Sequence, residues 1–384
     1  MLPLSGIKVV EFCQVAAGPF CGMLLADMGA DVIKVEPPEG DMLRQWPPIS
    51  NGYSENFASL NRNKRSVALD LKNPEDKKLA QALIRAADVV VENNRPGVMD
   101  RLGLGYAAFK DDKPGLVYCS ISAFGQSGPR SGEGGFDVTV QAVSGIMSVT
   151  GEPDGAPVKC GVPVSDFAAG LYGAFAIAAK LREVQSGGAG GHVDVSMLGA
   201  SLGIAALQTS EFFGTGRDPQ KLGSAHPRNA PYQAFKAKDG YFVIAAGNDK
   251  LWQAVTGVMN RADLLADPRF KTTSLRAQNQ AALKDILEAT FSGHGVDHWV
   301  AAFEKAGVPL GRINAYSQVL AEPQVEHMGW VQPMALPSGV ATRTFGFPVR
   351  LDGKTLPLRR DPPALGGDTA AVRTELAGKK AAAE

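Results

Sequence analysis

Short runs of β-branched and other apolar residues alternate with helix-like segments through the first two hundred residues. This alternation restricts the possible folds more than any other feature of the chain. The runs with strand character are Ile7–Phe12, Asp31–Glu36, Ser66–Leu71, Asp88–Glu92, Leu116–Ser122 and His192–Ser196. The helix-like segments are Gly18–Gly29, Asn73–Ala87, Ser165–Val184 and Met197–Phe213. Strands separated by helices of this length form parallel β-α-β units, so the sequence predicts an α/β fold with a doubly wound sheet.

The character of the sequence changes after residue 210, where a polar, turn-rich stretch begins. Two strand-like runs then flank Lys238-Asp239-Gly240, which is typical of a β-hairpin, and helix-like segments follow. We therefore predict a smaller α+β domain over residues 225–325. The large domain comprises residues 1–210 and 330–384, with linkers at 211–224 and 326–329.

The overall charge is balanced, because Lys and Arg total 39 and Asp and Glu also total 39. A general nucleic-acid binder needs a basic surface to offset phosphate charge, so we expect no nucleic-acid partner. The four cysteines form no C-x-x-C pair, and His294 and His298 lack the glutamate of an H-E-x-x-H motif. These spacings predict no metal.

The N-terminus has no signal-peptide pattern. The small-residue helix at 165–184 is predicted to be neither long nor apolar enough to span a membrane. We therefore expect a soluble, cytoplasmic protein without a membrane partner.

Motifs for nucleotide and hydrolase chemistry were considered next. No G-x-G-x-x-G follows the first strand, and the Walker A pattern does not occur. Gly199–Gly203 matches the G-x-S-x-G pattern with Ser201 at its centre. A nucleophile elbow places the serine directly between strand and helix, whereas Ser201 follows the strand only after intervening helix-like residues. A serine hydrolase is therefore an alternative that the sequence disfavours.

Asp166 stands at the start of the small-residue helix and allows two interpretations. In the first interpretation it serves only the helix terminus, as first-turn acids commonly do. Alternatively, the helix dipole and backbone donors keep the carboxylate ionised while an apolar setting leaves it poorly hydrated. Such a carboxylate could attack a thioester and store the acyl group as a mixed anhydride. Position alone favours the first interpretation.

Several blocks, taken in order, resemble the family III CoA-transferases, a group that includes formyl-CoA and carnitine CoA-transferases and α-methylacyl-CoA racemases. The matching segments are Val10–Phe12, Ala17–Pro19, Leu25–Pro37, Gly40-Asp41, Arg44, Asn61–Ser66, Leu69–Lys72, Val91–Gly97, Asp100–Gly103, Gly191–Leu198, Ala230–Tyr232 and Asp239-Gly240. The resemblance covers nearly the whole chain. It implies a Rossmann-like large domain built from both chain ends, a smaller domain, and an interlocked homodimer in which each chain threads a hole in the other.

The family's catalytic aspartate matches Asp166, so the resemblance favours the nucleophile. It implies no permanently bound cofactor, with coenzyme A and its thioesters as substrates and a small carboxylic acid as acceptor. The acyl site and its oxyanion donors are expected among Gln14, Val15, Ala16, Trp46, Phe136, Asp137, Gly223, His226 and Arg228. The CoA-binding positions carried over by the match are Val15, Arg65, Leu69, Lys72, Asn93, Arg95, Arg101 and Leu102. Each cation in that set could instead be a solvated surface charge.

Departures from the family's patterns separate the possible reactions. Racemases of the family have a histidine before an aspartate where this chain has Phe136-Asp137, so the resemblance favours a transferase over a racemase. The oxalate-using enzymes of the family have a tryptophan that matches Trp46, but they carry tyrosines where this chain has Asn56 and Phe136. We therefore predict a succinyl-type donor and a dicarboxylic acceptor. In this interpretation His226 or Arg228 meets the acceptor's distal carboxylate, although His226 could equally bond its own turn. A racemase and a non-catalytic CoA-binding protein stay as alternatives.

Overall fold

The computed structural model describes residues 1–383, with side chains to residue 378. The described chain forms two compact units. The first contains Met1–Ile146, Lys159–Arg217 and the chain from Pro323 onward, and the second contains Met147–Val158 and Asp218–Glu322. The predicted boundaries place 147–158 in the large domain, and this placement is wrong because the segment packs with the second unit. Glu384, the last residue of the predicted large domain, lies outside the described residues.

The first unit is built on a parallel sheet. The strands before residue 200 are β1 Lys8–Phe12, β2 Asp31–Glu36, β3 Ile49–Ser50, β4 Tyr53–Ser54, β5 Lys64–Ala68, β6 Val89–Glu92, β7 Val117–Ser122 and β8 Gly191–Ser196. Among the described residues, six of these pair in the order β5-β2-β1-β6-β7-β8, all parallel. The predicted parallel α/β sheet is confirmed.

Helices cover both faces of this sheet. Those before residue 217 are α1 Ala17–Asp27, α2 Glu55–Asn61, α3 Pro74–Ala86, α4 Val98–Arg101, α5 Asp137–Val143, α6 Val164–Gln185, α7 Met197–Ile204 and α8 Ala206–Thr215. Short 3-10 turns lie at Met42–Gln45, Tyr106–Ala108 and Ile146–Ser148. One apolar core joins the sheet to α1, α6 and α7, and another joins the opposite face to α3 and α4. The sheet is therefore doubly wound.

Local sequence explains where several of these elements begin and end. The Asn73 side chain accepts a hydrogen bond from the Glu75 amide, and Pro74 occupies the first position of α3. The predicted helix over Met197–Phe213 is interrupted, because α7 ends at Ile204 and α8 begins at Ala206. α8 also runs to Thr215, into the predicted linker 211–224.

The second unit has its own sheet and core. Its elements are β9 Tyr232–Lys236, β10 Tyr241–Ala245, α9 Asp249–Val258, α10 Asp263–Ala266, α11 Thr273–Gln278, α12 Gln280–Phe291, α13 Val296–Lys305, β11 Leu310–Arg312 and α14 Tyr316–Val319. The predicted hairpin is β9–β10, and β11 pairs with β10 to give the order β11-β10-β9. Aromatic side chains from both layers, among them Phe242 and Phe291, fill the core.

The C-terminal segment returns to the first unit. Its elements are α15 Pro323–Met328, β12 Val331–Ala335, β13 Ala341–Phe345, β14 Arg350–Leu351, β15 Lys354–Thr355 and α16 Thr369–Ala383. α15 occupies part of the predicted linker 326–329. The segment before α16 runs along the open edge of β5. The Asp368 carboxylate accepts a hydrogen bond from the Ser66 amide, and the Asp368 amide donates to the Ser66 carbonyl oxygen. The Thr369 hydroxyl accepts from the Ala68 amide.

The small-residue helix α6 is 22 residues long. By length and composition alone it could cross a membrane, which contradicts the prediction made from the sequence. In the fold, one face of α6 packs against α1 and the sheet, and Ala169 and Ile177 are fully buried there. A helix in a protein core passes the same test of length and composition. This packing accounts for the apolar residues on one face of α6, whereas Leu171, Tyr172 and Phe175 on the same helix are exposed.

Candidate functional site

A cavity of about 420 Å³ opens at the carboxyl ends of the central strands of the first unit. It is lined by Phe12, Gln14, Val35, Glu36, Pro37, Pro38, Glu39, Leu69, Asp70, Leu71, Lys72, Asn94, Met99 and Leu102. These residues lie at or after the carboxyl ends of β1, β2, β5 and β6. The strand order reverses at β1, and ligands of open α/β sheets bind at that point. The cavity is therefore the candidate binding site for the nucleotide part of a large ligand.

The loop between β1 and α1 forms one wall of the site and has an unusual backbone. Val15 has a φ of 65°, in the left-handed region that β-branched residues rarely adopt. Its amide donates to the Asp41 carboxylate at 3.1 Å. The Gln14 amide donates to Asn93 Oδ1 and its carbonyl accepts from Asn93 Nδ2, each at 2.9 Å. Side chains from two other segments therefore hold the backbone of this loop.

These contacts change the expected set of oxyanion donors. The amides of Gln14 and Val15 are already used inside the protein, so the prediction that they point at the acyl site is wrong. Ala16 precedes α1, and the amides at the start of a helix have no acceptor within the helix. The backbone donors that this loop can present to a ligand therefore begin at Ala16 and continue to Gly18.

A cluster of buried charges lies beneath the loop. Glu11, Lys34 and Lys64 are fully buried, and Asp41 is 1% exposed. Lys34 Nζ lies 2.9 Å from Asp41 and 3.4 Å from Glu11, and Lys64 Nζ lies 2.9 Å from Glu11. Burial opposes ionisation of Lys34, but the neighbouring carboxylates of Asp41 and Glu11 raise its pKa above the ordinary value. The cluster is therefore a set of compensated charges.

Asp166 occupies the first turn of α6 and is half-buried. Asp137 Oδ1 accepts hydrogen bonds from the amides of Ser165, at 2.9 Å, and Asp166, at 3.4 Å. Burial, and then the neighbouring charge of Asp137, raise the pKa of Asp166 to about 7. Burial and a like charge therefore act against the helix terminus, which was expected to keep Asp166 ionised.

Close packing brings the start of α1 beside the start of α6. A Cβ added to Gly170 would lie 2.8 Å from the Ala17 carbonyl oxygen, so a side chain at that position would push the helices apart. The rings of Phe20 and Phe167 are 4.6 Å apart between centroids. The free amides of α1 and the Asp166 carboxylate therefore lie at the same edge of the sheet.

The predicted CoA-binding residues are only partly brought together. Leu69, Lys72 and Leu102 line the large cavity, and Arg101 is exposed beside Leu102 on α4. Val15 and Asn93 form the loop wall described above. Arg95 instead lines a second cavity of about 200 Å³.

Arg65 does not have the free guanidinium that the prediction requires. Its Nη2 pairs with Asp31 and its Nη1 with Glu375, each at 2.7 Å. Its side chain is only 10% exposed. The prediction that Arg65 binds a phosphate of CoA is therefore wrong, because α16 and β2 already neutralise it.

The other predicted acyl-site residues fall in both units. In the first unit Trp46 is 44% exposed and Phe136 is 66% exposed. Gly223, His226 and Arg228 belong to the second unit. His226 Nδ1 accepts from the amides of Arg228 and Asn229, each at 3.1 Å. His226 thus bonds its own turn, as one of the two sequence interpretations held.

Ser201 cannot act as a hydrolase nucleophile in this arrangement. It lies within α7, is fully buried, and donates to the Ser165 hydroxyl at 2.8 Å. A nucleophile elbow would expose the serine on a sharp turn. The hydrolase interpretation is therefore wrong, and Ser201 supports the residue that precedes Asp166.

Sequence reasoning missed the roles of Glu11, Lys34 and Lys64. A signal was present, since Lys34 interrupts the apolar strand Asp31–Glu36, which is buried on both faces. Glu11 and Lys34 are direct partners in the register of β1 and β2. Opposite charges within neighbouring buried strands could therefore have predicted the pair. Among the described residues, no group of three or more His, Cys, Asp or Glu side chains is arranged to hold a metal ion.

The family model for CoA-transferase family III matches residues 4–369 of the chain. The chain belongs to CoA-transferase family III. Succinyl-CoA:glutarate CoA-transferase of mouse is 38% identical over 98% of this chain and 87% of its own length. Acetyl-CoA:oxalate CoA-transferase of Acetobacter aceti is also 38% identical, over 99% of this chain and 97% of its own.

A solved structure from Brucella suis, described as a CAIB/BAIF family protein, has the same fold. It is 39% identical, covers 98% of this chain and 99% of its own, and superposes with a TM-score of 0.87. Membership of family III thus confirms the resemblance inferred from the sequence motifs and the assignment of the chain as a CoA-transferase.

Proposed function

We propose that this family III protein transfers CoA from succinyl-CoA to a dicarboxylic acid through covalent intermediates on Asp166. The observation that carries the proposal is a half-buried carboxylate in the first turn of α6, a helix that packs against the start of α1 through Gly170. The mouse relative is named for succinyl-CoA and glutarate, and this supports a dicarboxylic acceptor. The Acetobacter relative is named for oxalate, so the acceptor panel must include it.

The proposed reaction begins when a carboxylate oxygen of Asp166 attacks the thioester carbonyl carbon. The carbon–sulfur bond breaks, CoA leaves as the thiolate, and an aspartyl–acyl anhydride forms. The thiolate then attacks the aspartyl carbonyl, releasing the donor acid and forming an aspartyl-CoA thioester. The acceptor carboxylate attacks the aspartyl carbonyl of that thioester and expels the CoA thiolate, which leaves a second anhydride. The thiolate finally attacks the acceptor's acyl carbon, which gives the product thioester and releases the Asp166 carboxylate.

Each step develops negative charge on a carbonyl oxygen, which needs preorganised donors. The backbone amides from Ala16 to Gly18 are suited to this role because the helix provides no acceptor for them. Burial makes Asp166 a poorly hydrated and therefore more reactive nucleophile once it is ionised. The CoA nucleotide would lie in the cavity that Leu69, Lys72 and Leu102 help to line.

We further propose that the protein acts as a homodimer, interlocked as the family resemblance implies. The first unit exposes a row of large apolar side chains on α6, α7 and α8, namely Leu171, Tyr172, Phe175, Leu202, Ile204, Leu207, Phe212 and Phe213. Exposed large apolar side chains that gather on neighbouring helices favour an interaction site. Light scattering on the purified protein should give twice the chain mass, and a monomer at assay concentration would overturn the dimer.

Mass spectrometry tests the covalent mechanism directly. The protein is incubated with succinyl-CoA, quenched and digested, and the peptide carrying Asp166 is examined for a CoA adduct. Asp166→Ala should abolish the adduct and the transfer activity, while Ser201→Ala should keep both. Glutarate, oxalate and other carboxylic acids are then compared for discharge of the adduct, which identifies the acceptor.

The alternatives predict different results in the same assay. A racemase would exchange the α-proton of a 2-methylacyl-CoA in heavy water without any acid acceptor. A non-catalytic CoA-binding protein would bind CoA but form no adduct with any acyl-CoA. Either result would contradict the proposed transferase mechanism.

A further inference from the structure

The loop that precedes α1 adopts a backbone conformation that its sequence does not favour. Val15 has a φ of 65°, whereas its branched Cβ restricts it to negative φ in most settings. Such conformations persist when contacts with the surrounding structure hold them in place, and they concentrate at functional sites. The contacts of Val15 should therefore identify what holds it in place.

Asp41 is the principal contact of the Val15 backbone. Its Oδ1 and Oδ2 lie 3.1 and 3.3 Å from the Val15 amide nitrogen, and Oδ1 also accepts from the Leu43 amide at 2.9 Å. Lys34 and the Leu43 and Val15 amides hold the pKa of Asp41 below its ordinary value, although burial alone would raise it. Asp41 is therefore a buried anion that accepts from the strained residue.

Lys34 connects the same anion to the residue before the strained turn. Its ammonium lies 2.9 Å from Asp41 and donates to the Cys13 carbonyl oxygen at 2.7 Å. A single cation thus fixes the start of the loop while it compensates the anion that fixes Val15. Glu11 and Lys64 complete the charge balance, and Gly22 leaves space for the Glu11 carboxylate.

The strained turn leads directly into the amides that we propose as oxyanion donors. Ala16 and Ala17 follow Val15, and the Ala17 carbonyl is in close contact with the position of Gly170, one turn after Asp166. A change in φ at Val15 would redirect these amides and the first turn of α1. A shift of about 1 Å in a reacting group can cost about a hundredfold in rate.

We propose that the buried Lys34–Asp41 ion pair is a positioning device that holds Val15 in its left-handed conformation and so aims the amides of Ala16 and Ala17 at the acyl group on Asp166. This inference rests on the proposed function, because it concerns the geometry of the same reaction. Asp41 and Lys34 are positioning residues: they act through the loop backbone and need not touch the substrate.

The test compares substitutions at two buried aspartates of the first unit. Asp41→Glu keeps the charge for Lys34 but adds a methylene group, which displaces the acceptor from the Val15 amide. Asp27→Asn is the matched control, because Asp27 is 4% exposed and pairs with Arg62 at 2.6 Å without contacting the loop. Asp41→Glu should lower kcat by about ten- to a hundredfold while KM for the acyl-CoA changes much less. Asp27→Asn should lower Tm but keep kcat.

A double variant separates positioning from general loss of structure. Glycine adopts positive φ freely, so a glycine at position 15 no longer depends on the ion pair. Asp41→Asn should therefore lower kcat by a smaller factor in the Val15→Gly background than in the natural chain. This comparison uses only folded variants, which circular dichroism and Tm identify beforehand.

The possible results lead to distinct conclusions. Equal kcat values for Asp41→Glu and the natural protein, or strictly multiplicative effects in the double variant, would overturn the positioning role alone. A natural protein that transfers CoA from no acyl-CoA donor would overturn the proposed function and this inference together. A fall in kcat that Val15→Gly suppresses, with Asp27→Asn still active, would support the inference.

Discussion

Replacing Asp137 with asparagine should move the pH dependence of the transfer reaction to lower pH. The pKa of Asp166 is raised to about 7, first by burial and second by the charge of Asp137. Asparagine removes the charge but keeps a carbonyl oxygen that can accept from the Ser165 and Asp166 amides. The change therefore removes the second cause while the first persists, at the expense of the hydrogen bond that Asp137 Oδ2 accepts from Gln141 Nε2 at 2.6 Å.

The magnitude follows from the fraction of Asp166 that is ionised, because only the carboxylate can attack the thioester. With a pKa of about 7, that fraction is about 0.09 near pH 6 and about 0.9 near pH 8. We therefore expect kcat/KM of the natural protein to fall about tenfold as the pH is lowered from about 8 to about 6. In Asp137→Asn the midpoint should fall below 7 yet stay above the ordinary aspartate value, since burial still disfavours the charge.

The assay measures initial rates of thioester loss from succinyl-CoA over a pH series, with kcat/KM reporting groups on the free enzyme. Asp27→Asn is again the matched control, since its buried partner Arg62 lies outside the site. A natural protein whose kcat/KM is flat from about pH 6 to 8 would refute the elevated pKa of Asp166. An unchanged midpoint in Asp137→Asn would refute the contribution of the neighbouring charge.

Three further predictions concern single residues. Asp166→Asn should raise Tm by a few degrees near pH 8 but not near pH 4. The pKa of Asp166 is higher in the native state than in the unfolded state, so its ionisation destabilises the native protein only at pH values above the unfolded pKa. Gly170→Ala should lower both Tm and kcat by separating α1 from α6, whereas Gly257→Ala, with open space around its Cβ, should stabilise the protein by about 0.5–1 kcal/mol in denaturant unfolding. Lys72→Ala should raise KM for the acyl-CoA, while Arg65→Ala should lower Tm and leave KM unchanged, as steady-state kinetics and thermal melts will show.

The sheet could be predicted because buried parallel strands have a strong local pattern. Asp31–Glu36 matches the observed β2 in both bounds. The third strand of the sheet was predicted two residues too late: β5 begins at Lys64, since Lys64 and Arg65 are buried against carboxylates from other segments. These partners are distant in sequence, and a short segment of sequence does not reveal them. The predicted strand Ser66–Leu71 therefore leaves out Lys64 and Arg65.

The candidate site was predictable where a motif fixes a residue, and less so where long-range contacts decide its role. Asp166 was identified from its helix position and the family resemblance, but its pKa depends on Asp137, which is distant in sequence. Arg65 was expected to be free because its partner Glu375 lies some three hundred residues later in the chain. The left-handed conformation of Val15 could not be predicted either, because Asp41, which accepts from the Val15 amide, lies beyond α1 and β2 in the chain.

The contact between the chain's last segment and β5 affects how the protein is made. Asp368 and Thr369 pair with backbone groups of Ser66 and Ala68 on the outermost strand of the sheet. During synthesis that strand emerges early, whereas the residues that cover it follow about three hundred residues later. Unpaired strand edges on nascent chains promote association with other chains. The sheet of the first unit is therefore completed only after residues 368 and 369 have been synthesised, and a truncated product ending before Asp368 would leave the edge of β5 open.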